Sequence, residues 1–405
     1  MVVARQAPQN AQSGKPGQTQ TASVPFPIAS LKRIRQAFDT GNLSLGQNVA
    51  AIEIPAAGGF MRYMELVCTG ITAGNSAAVT FQADAPWNAL SFIEFLPPSG
   101  DPPIVPHTGY QLYLWNKYGA FSQSPPYSDP RKDNQFSATV NTGATGGSWS
   151  FTLRLPFEID PASGFCAITN SAANKSYLLN LIVNTSGNIY SVAPTAAPTV
   201  RVIGWMYYWD EPAAQTRQGT SQAPGPLGLG SFSQLRLDQP PITAGDKYIK
   251  VNNAGPVLRS LGVVLRTASA RETDANAPAT WDFVFNTRDR WLMTDLQLLS
   301  DMAESYGYGQ NYTGVAFTGT TGAVTKAPIE TPGGLDQGVR FFPYFLDAGG
   351  IFHPIVRSQF QVTADATLTQ LRGISFAGTT TTMEILTNLI RPSSAAALYP
   401  SNRIT

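Results

Sequence analysis

From about residue 48 the chain alternates between short apolar-rich runs and clusters of Gly, Pro, Asn and Ser. NVAAIEIP, FMRYMELVCTGI, AVTFQ, LSFIEFLP, WSFTLRLPFEI, SYLLNLIVN and TVRVIGWMYYW are rich in β-branched and aromatic residues and bounded by turn formers, the pattern of strands. The alternation is clearest over 199–209. Val200, Val202, Gly204, Met206 and Tyr208 fall on one face, and Arg201, Ile203, Trp205, Tyr207 and Trp209 on the other. Both faces are apolar enough to need covering. One helix-like piece, HTGYQLYLWNKYG, interrupts at 107–119. Strand-like runs resume with KYIKV, VLRSLGVVLRT, WDFVFN, VRFFPYFL, IVRSQFQV, TLTQLRGISF and TTMEILTNLI, around a Gly/Thr/Tyr-rich stretch at 305–337 that reads as an extended loop.

Residues 1–28 carry no hydrophobic period and are expected to be disordered or held only by neighbours. In ASLKRIRQAF, Leu31, Ile34 and Phe38 fall at i, i+3 and i+7, which predicts a short helix with Lys32, Arg33 and Arg35 on its other face. Residues 213–241 are a linker by composition. The chain therefore divides into an N-terminal arm with a short basic helix (1–40), a first β unit (41–212), the linker (213–241), a second β unit (242–392) and a C-terminal tail (393–405).

The two β units repeat each other in order. RYMELVCT matches RSLGVVLR, LSFIEF matches WDFVF, TGYQLY matches TDLQLL, LRLPFEID matches RFFPYFLD, and TVRVIGWMYYWDEP matches TTMEILTNLIRP. The offsets drift from 197 to 180 residues, a drift that loop lengths absorb. Each half then holds seven or eight strands and one short helix. Eight antiparallel strands in two sheets make a jelly roll, and a Greek-key sandwich also fits each half taken alone.

Composition narrows the function. Charged residues are 13% of the 405, against roughly 25% in ordinary soluble domains. Such a surface is expected to be covered, most simply by further copies of the chain. The net charge of +1 argues against a protein that works by gripping phosphate backbones. Basic character is concentrated at one end: residues 1–40 carry a net +4, leaving −3 for the rest. The first fifteen residues lack an apolar signal region, so folding in a cytoplasm is expected. No run of apolar residues is long enough to span a bilayer as a helix.

Candidate chemistry is thin. Cys68 and Cys166 lie in apolar runs and read as buried hydrophobes. The two histidines, His107 and His353, each neighbour a proline and lack a Cys or His at metal-ligand spacing. GPLGLGS at 225–231 lacks the Lys-Ser/Thr that a phosphate cradle needs. Asn42, Asn174, Asn184 and Asn311 begin glycosylation sequons that matter only on a secretion route. Glu53, Glu65, Glu94 and Glu158 would serve a glycosidase only if two of them converged. With exposed aromatics such as Trp87, Trp115, Tyr127, Tyr306 and Tyr308, they define the alternative of a two-domain β-sandwich that binds or hydrolyses polysaccharide. No catalytic, metal or cofactor set is expected. The basic segment has three readings: a plain surface helix, a contact with anionic lipid, and a contact with packaged nucleic acid, with Lys32, Arg33 and Arg35 as the contacting residues.

Two stretches carry a family likeness. NALSFIEFLPPSGDPPIVPHTGYQLYLWNKYGAF (88–121) is similar to a strand, polar turn and aromatic-rich helix in the double jelly-roll major capsid proteins of tailless, membrane-containing bacteriophages. LRLPFEIDPASGFCAITNSAANKSYLLNLIVN (153–184) resembles their strand, Pro-aromatic corner, acidic turn and following strand. RSLGVVLR and GVRFFPYFLD match more loosely, and the likeness covers most of residues 48–392. Within that family the chain is most similar to the tectivirus-like proteins of the adenovirus-type lineage. The resemblance implies an all-β fold of two tandem eight-stranded jelly rolls with short helices in loops. It also implies a homotrimer of pseudo-hexagonal outline that tiles an icosahedral virion shell around an internal lipid membrane and double-stranded DNA. Expected partners are further trimers, vertex (penton) and minor capsid proteins and the membrane, without sequence-specific nucleic-acid binding. A spike or vertex protein of the same kind of virus is a minor alternative.

Overall fold

The computed structural model describes residues 26–71, 80–98, 102–119, 136–139, 148–161, 163–170, 176–212, 225–226, 230–251, 257–267, 270–272, 276–285, 288–306, 315–317, 324–326, 335–342, 369–376 and 381–392. His353, the run IVRSQFQV, the tail 393–405, the arm before residue 26 and much of 305–337 lie outside them.

A one-turn helix α1 (Phe26–Ala29) opens the first half. Its strands are β1 (Lys32–Ser44), β2 (Asn48–Ile54), β3 (Phe60–Ile71), β4 (Thr80–Phe81), β5 (Leu90–Leu96), β6 (Val105–His107), β7 (Phe136–Thr139), β8 (Ser148–Pro156), β9 (Ile168–Thr169), β10 (Tyr177–Val183), β11 (Tyr190–Val192) and β12 (Thr199–Trp209). Helix α2 (Gly109–Tyr118) follows β6, and α3 (Ser186–Ile189) follows β10. Strands pair in the order β1-β12-β3-β8-β7 in one sheet and β2-β10-β5-β6 in the other, all antiparallel. That interleaving of early and late strands is the jelly-roll topology.

The second half holds β13 (Ser231–Asp238), β14 (Pro241–Ile242), β15 (Gly245–Lys250), β16 (Val257–Thr267), β17 (Ala270–Arg271), β18 (Thr280–Phe285), β19 (Arg288–Thr294), helix α4 (Asp295–Tyr306), β20 (Val315–Phe317), β21 (Val324–Lys326), β22 (Val339–Phe342), β23 (Thr369–Phe376) and β24 (Thr381–Pro392). Here β13-β24-β16 is flanked by β22 on β16, opposite β15-β23-β18-β19. The orders β1-β12-β3-β8 and β2-β10-β5-β6 of the first half thus recur as β13-β24-β16-β22 and β15-β23-β18-β19, so the fold is a double jelly roll. Over the described residues, the five sequence matches fall on equivalent elements.

The helices show the repeat at atomic detail. In α2 the Thr108 hydroxyl accepts from Gln111 N (3.2 Å) while the Gln111 side chain accepts from Thr108 N (3.0 Å). Thr294 and Gln297 repeat this capping box at α4, with bonds of 3.2 and 2.9 Å. Each helix also bonds the edge of its own sheet. Asn116 Oδ1 accepts from Arg154 N (2.7 Å), and Met302 Sδ accepts from Phe341 N (3.2 Å).

Two expectations are corrected. Residues 31–38 form no helix: Lys32 onward is β1, paired with β12 from Lys32↔Trp209 to Ser44↔Thr199. The helical spacing of Leu31, Ile34 and Phe38 is overridden by the open edge of β12, whose backbone groups need partners. Gly204 completes the fit, because its missing side chain makes the notch that receives the Phe38 ring. Accordingly, Gly204→Ala is expected to destabilise the protein by roughly 1–3 kcal/mol through overpacking, read as a lowered denaturant midpoint. The second correction concerns the linker, whose end is strand β13, paired with β24 from Ser231↔Pro392 to Asp238↔Ile385. Its Gly/Pro-rich neighbours hid the strand SFSQLRLD.

Candidate functional site

The basic residues of the arm lie on β1, at the outer edge of its sheet. As a strand, the segment sends Lys32 and Ile34 to one face and Arg33 and Arg35 to the other, so the amphipathic helix needed for an interfacial lipid contact does not form. Arg33 pairs with Asp210 (2.8 Å), Lys32 lies 4.9 Å over the Trp209 ring, and Arg35 is exposed.

The four candidate carboxylates are not brought together. Glu65 on β3 binds Arg154 (2.6 Å) and the Tyr207 hydroxyl (2.8 Å). Glu94, in the opposite sheet, accepts from Asn180 (2.8 Å), and Glu53 is exposed on β2. Glu158 is buried against Arg62 (2.8 Å) and Trp209 Nε1 (2.6 Å), and burial raises its pKa against the pull of Arg62. Among the described residues no hydrogen bond or ion pair links one of these glutamates to another, and no carboxylate pair of the kind a glycosidase uses is seen there. Trp87 and Trp115 are buried, not displayed to a ligand. Both cysteines are buried, and burial raises their thiol pKa values. Among the described residues no group of His, Cys, Asp and Glu could hold a metal ion, and no helix is long and apolar enough to cross a membrane.

What the fold builds instead is a joint between its halves. Helix α2 wedges against the second jelly roll, with Trp115 edge-on to Phe341 (5.4 Å) and Tyr118 stacked on it (4.9 Å). Asp336 Oδ2 accepts from both Lys117 Nζ and the Tyr118 hydroxyl at 2.7 Å, and Asp336 N donates back to that hydroxyl at 3.1 Å. Asp84, from the first half, takes Arg266 (2.7 Å) and Arg271 from the second, and Arg266 also reaches Glu384 (2.8 Å). Arg259 donates to the carbonyl of Gly119 at the end of α2 (2.6 Å). Strand β13 adds to the first half through Leu235 N on Ile104 O (2.8 Å), helped by Gln234 on Pro103 O (3.0 Å). One hydrophobic cluster runs through both halves. Buried ions survive only when paired, so this joint fixes the two jelly rolls as one block.

His107 sits beside that joint and is fully buried. Its Nδ1 lies 2.7 Å from the carbonyl of Pro106, which only accepts, so Nδ1 carries the proton. Nε2 then accepts from Trp115 Nε1 (2.9 Å). Burial lowers its pKa to about 4. The sequence hinted at none of this beyond the arginines that interrupt VLRSLGVVLRT.

No protein-family model and no curated protein matches the chain. Solved structures do. The fold is similar to that of the major capsid protein of Sulfolobus Turreted Icosahedral Virus, with 12% identity and a TM-score of 0.58 over 92% of this chain and 100% of that one. It is similar to the PBCV-1 virus capsid (13%, TM-score 0.56, 89% of this chain and 93% of that one). It is also similar to the major capsid protein of bacteriophage PM2 (9%, TM-score 0.50, 89% and 98%). The chain thus has the double jelly-roll fold of viral major capsid proteins.

Proposed function

We propose that this chain is a major capsid protein: a structural protein that forms homotrimers of pseudo-hexagonal outline and tiles an icosahedral virion shell. The observation that carries the reading is the strand-for-strand repeat of one jelly roll, fused by a buried joint into a rigid block. Three such blocks offer six similar units around an axis, the shape a triangulated shell needs. The low charge, and the separate partners of the candidate glutamates among the described residues, fit a geometric role. The proposal includes assembly after synthesis in a host cytoplasm and an internal membrane enclosing double-stranded DNA. Its partners are further trimers together with vertex and minor capsid proteins. Lys32, Arg33 and Arg35 remain the proposed inward contacts to membrane or genome, now as a charged strand edge multiplied over many copies.

Electron microscopy of the purified full-length protein tests the reading. Particles with a six-fold-like outline, or sheets and shells of them, are expected. Isolated two-lobed particles at every concentration would count against it.

A further inference from the structure

The two halves join their first long strands differently. In the first jelly roll three residues (45–47) carry β1 into β2, tied by Gln47 N on Ser44 O (3.2 Å) and Ser44 N on Gln47 Oε1 (3.1 Å). In the second, six residues (239–244) separate β13 from β15, and two of them are Pro240 and Pro241. Pro241 and Ile242 stay on β24 as β14, with Pro240 O accepting from Met383 N (3.1 Å). The detour leaves a cleft of about 540 Å³ at the open edge of the sandwich, between β13–β14 and β15. Ile242, Ile249 and Ile385, all buried, line its depth.

Strand β15 is the edge of its sheet and, among the described residues, pairs with β23 alone. One row of its backbone donors and acceptors is therefore a template for a further strand. Pro240 and Pro241 across the cleft have no N–H to offer a guest, so the hydrogen bonds come from the β15 side. Along β15 the side chains alternate: Lys247 and Ile249 turn toward the cleft, and Tyr248 (58% exposed) and Lys250 turn outward. Among the described residues neither lysine has an ion-pair or hydrogen-bond partner. The neighbouring acids are taken, Asp238 by Arg236 (3.1 Å) and Asp246 by Arg372 (3.5 Å). Two copies of this strand laid antiparallel over 247–250 would set Lys247 against Lys250, and like charges opposite each other are destabilising. The edge thus rejects its own copy and selects a guest of opposite charge.

We infer that β15 takes an extended acidic segment of a different polypeptide as a fifth strand of the β15-β23-β18-β19 sheet. Opposite residues 247–250 such a guest carries carboxylates three residues apart, one turned into the cleft to Lys247 and the other outward to Lys250. An apolar residue between them faces Ile249. The inference rests on the capsid reading only for taking that polypeptide to be another component of the shell.

Fluorescence anisotropy with the full-length protein tests it. The probe is a labelled synthetic peptide of about ten residues in which glutamate recurs at every third position among valines and threonines. Saturable binding is expected, weaker by at least ~10-fold for a chain carrying Lys247→Glu and Lys250→Glu, whose circular dichroism spectrum is unchanged. The same peptide with methylated backbone amides keeps its carboxylates but cannot donate to β15, and is expected not to bind. No binding to the parent, equal binding to the charge-reversed chain, binding that survives amide methylation, or displacement by equimolar inorganic phosphate overturns the inference. Each leaves the capsid reading, which is scored on self-association, standing. A chain that binds the peptide yet never self-associates keeps the acidic-strand site and overturns the capsid reading instead.

Discussion

Asp336→Ala is expected to lower the thermal midpoint by on the order of 10 °C. Its carboxylate accepts from Lys117 Nζ and from the Tyr118 hydroxyl, both 2.7 Å away and all deeply buried. Removing it takes the carboxylate of a buried ion pair away from the Lys117 ammonium, and breaking a buried pair in this way costs about 3–5 kcal/mol. For units of this size each kcal/mol moves the midpoint by about 2–4 °C. Removing the charge as well, with Lys117→Met in the same chain, is expected to recover part of the loss, because the cost of a buried charge deprived of its carboxylate exceeds that of the missing attraction. Differential scanning calorimetry of the parent, single and double variants checks this. A single variant as stable as the parent would show that the joint is not closed by this pair.

The second large effect is a pH dependence set by His107. Its ring is held neutral, donating to Pro106 O and accepting from Trp115, and its pKa falls from 6.5 to about 4 on burial. The unfolded chain therefore binds the proton first. Stability from this group is fully present above pH 6.5, declines as the pH falls, and is lost once the pH passes about 4. The total is about 3 kcal/mol, at 1.36 kcal/mol per pKa unit. Buried Glu158 works in the opposite sense, its raised pKa favouring the fold as it takes up a proton. Comparison with His107→Gln, which offers one donor and one acceptor without titrating, isolates the histidine. Urea midpoints measured from pH 7 to pH 4 are expected to fall faster for the parent than for the variant. Parallel curves would exclude His107 as the source.

The strands were legible in the sequence because a half-buried sheet face leaves a period of two, as along TVRVIGWMYYW. The repeat was legible because Thr-x-x-Gln caps and the Pro-aromatic corner are local devices that survive duplication. Strand β1 was not, because Leu31, Ile34 and Phe38 satisfy a helical period, and the partner that overrules it, β12, lies some 170 residues away. The joint was invisible for the same reason. Asp336 meets Tyr118 across 218 residues, and a charge buried by a distant partner looks in sequence like any surface charge. Within the second half, however, Arg259 and Arg266 interrupt an otherwise continuous apolar strand, and both are buried at the joint.

Self-association is the central claim, and the solution mass of the full-length protein tests it most directly. Light scattering across a dilution series is expected to give three times the 43.4 kDa chain mass, stable at low concentration, as permanent interfaces of about 2,000–5,000 Å² require. A constant 43.4 kDa at every concentration would contradict the account.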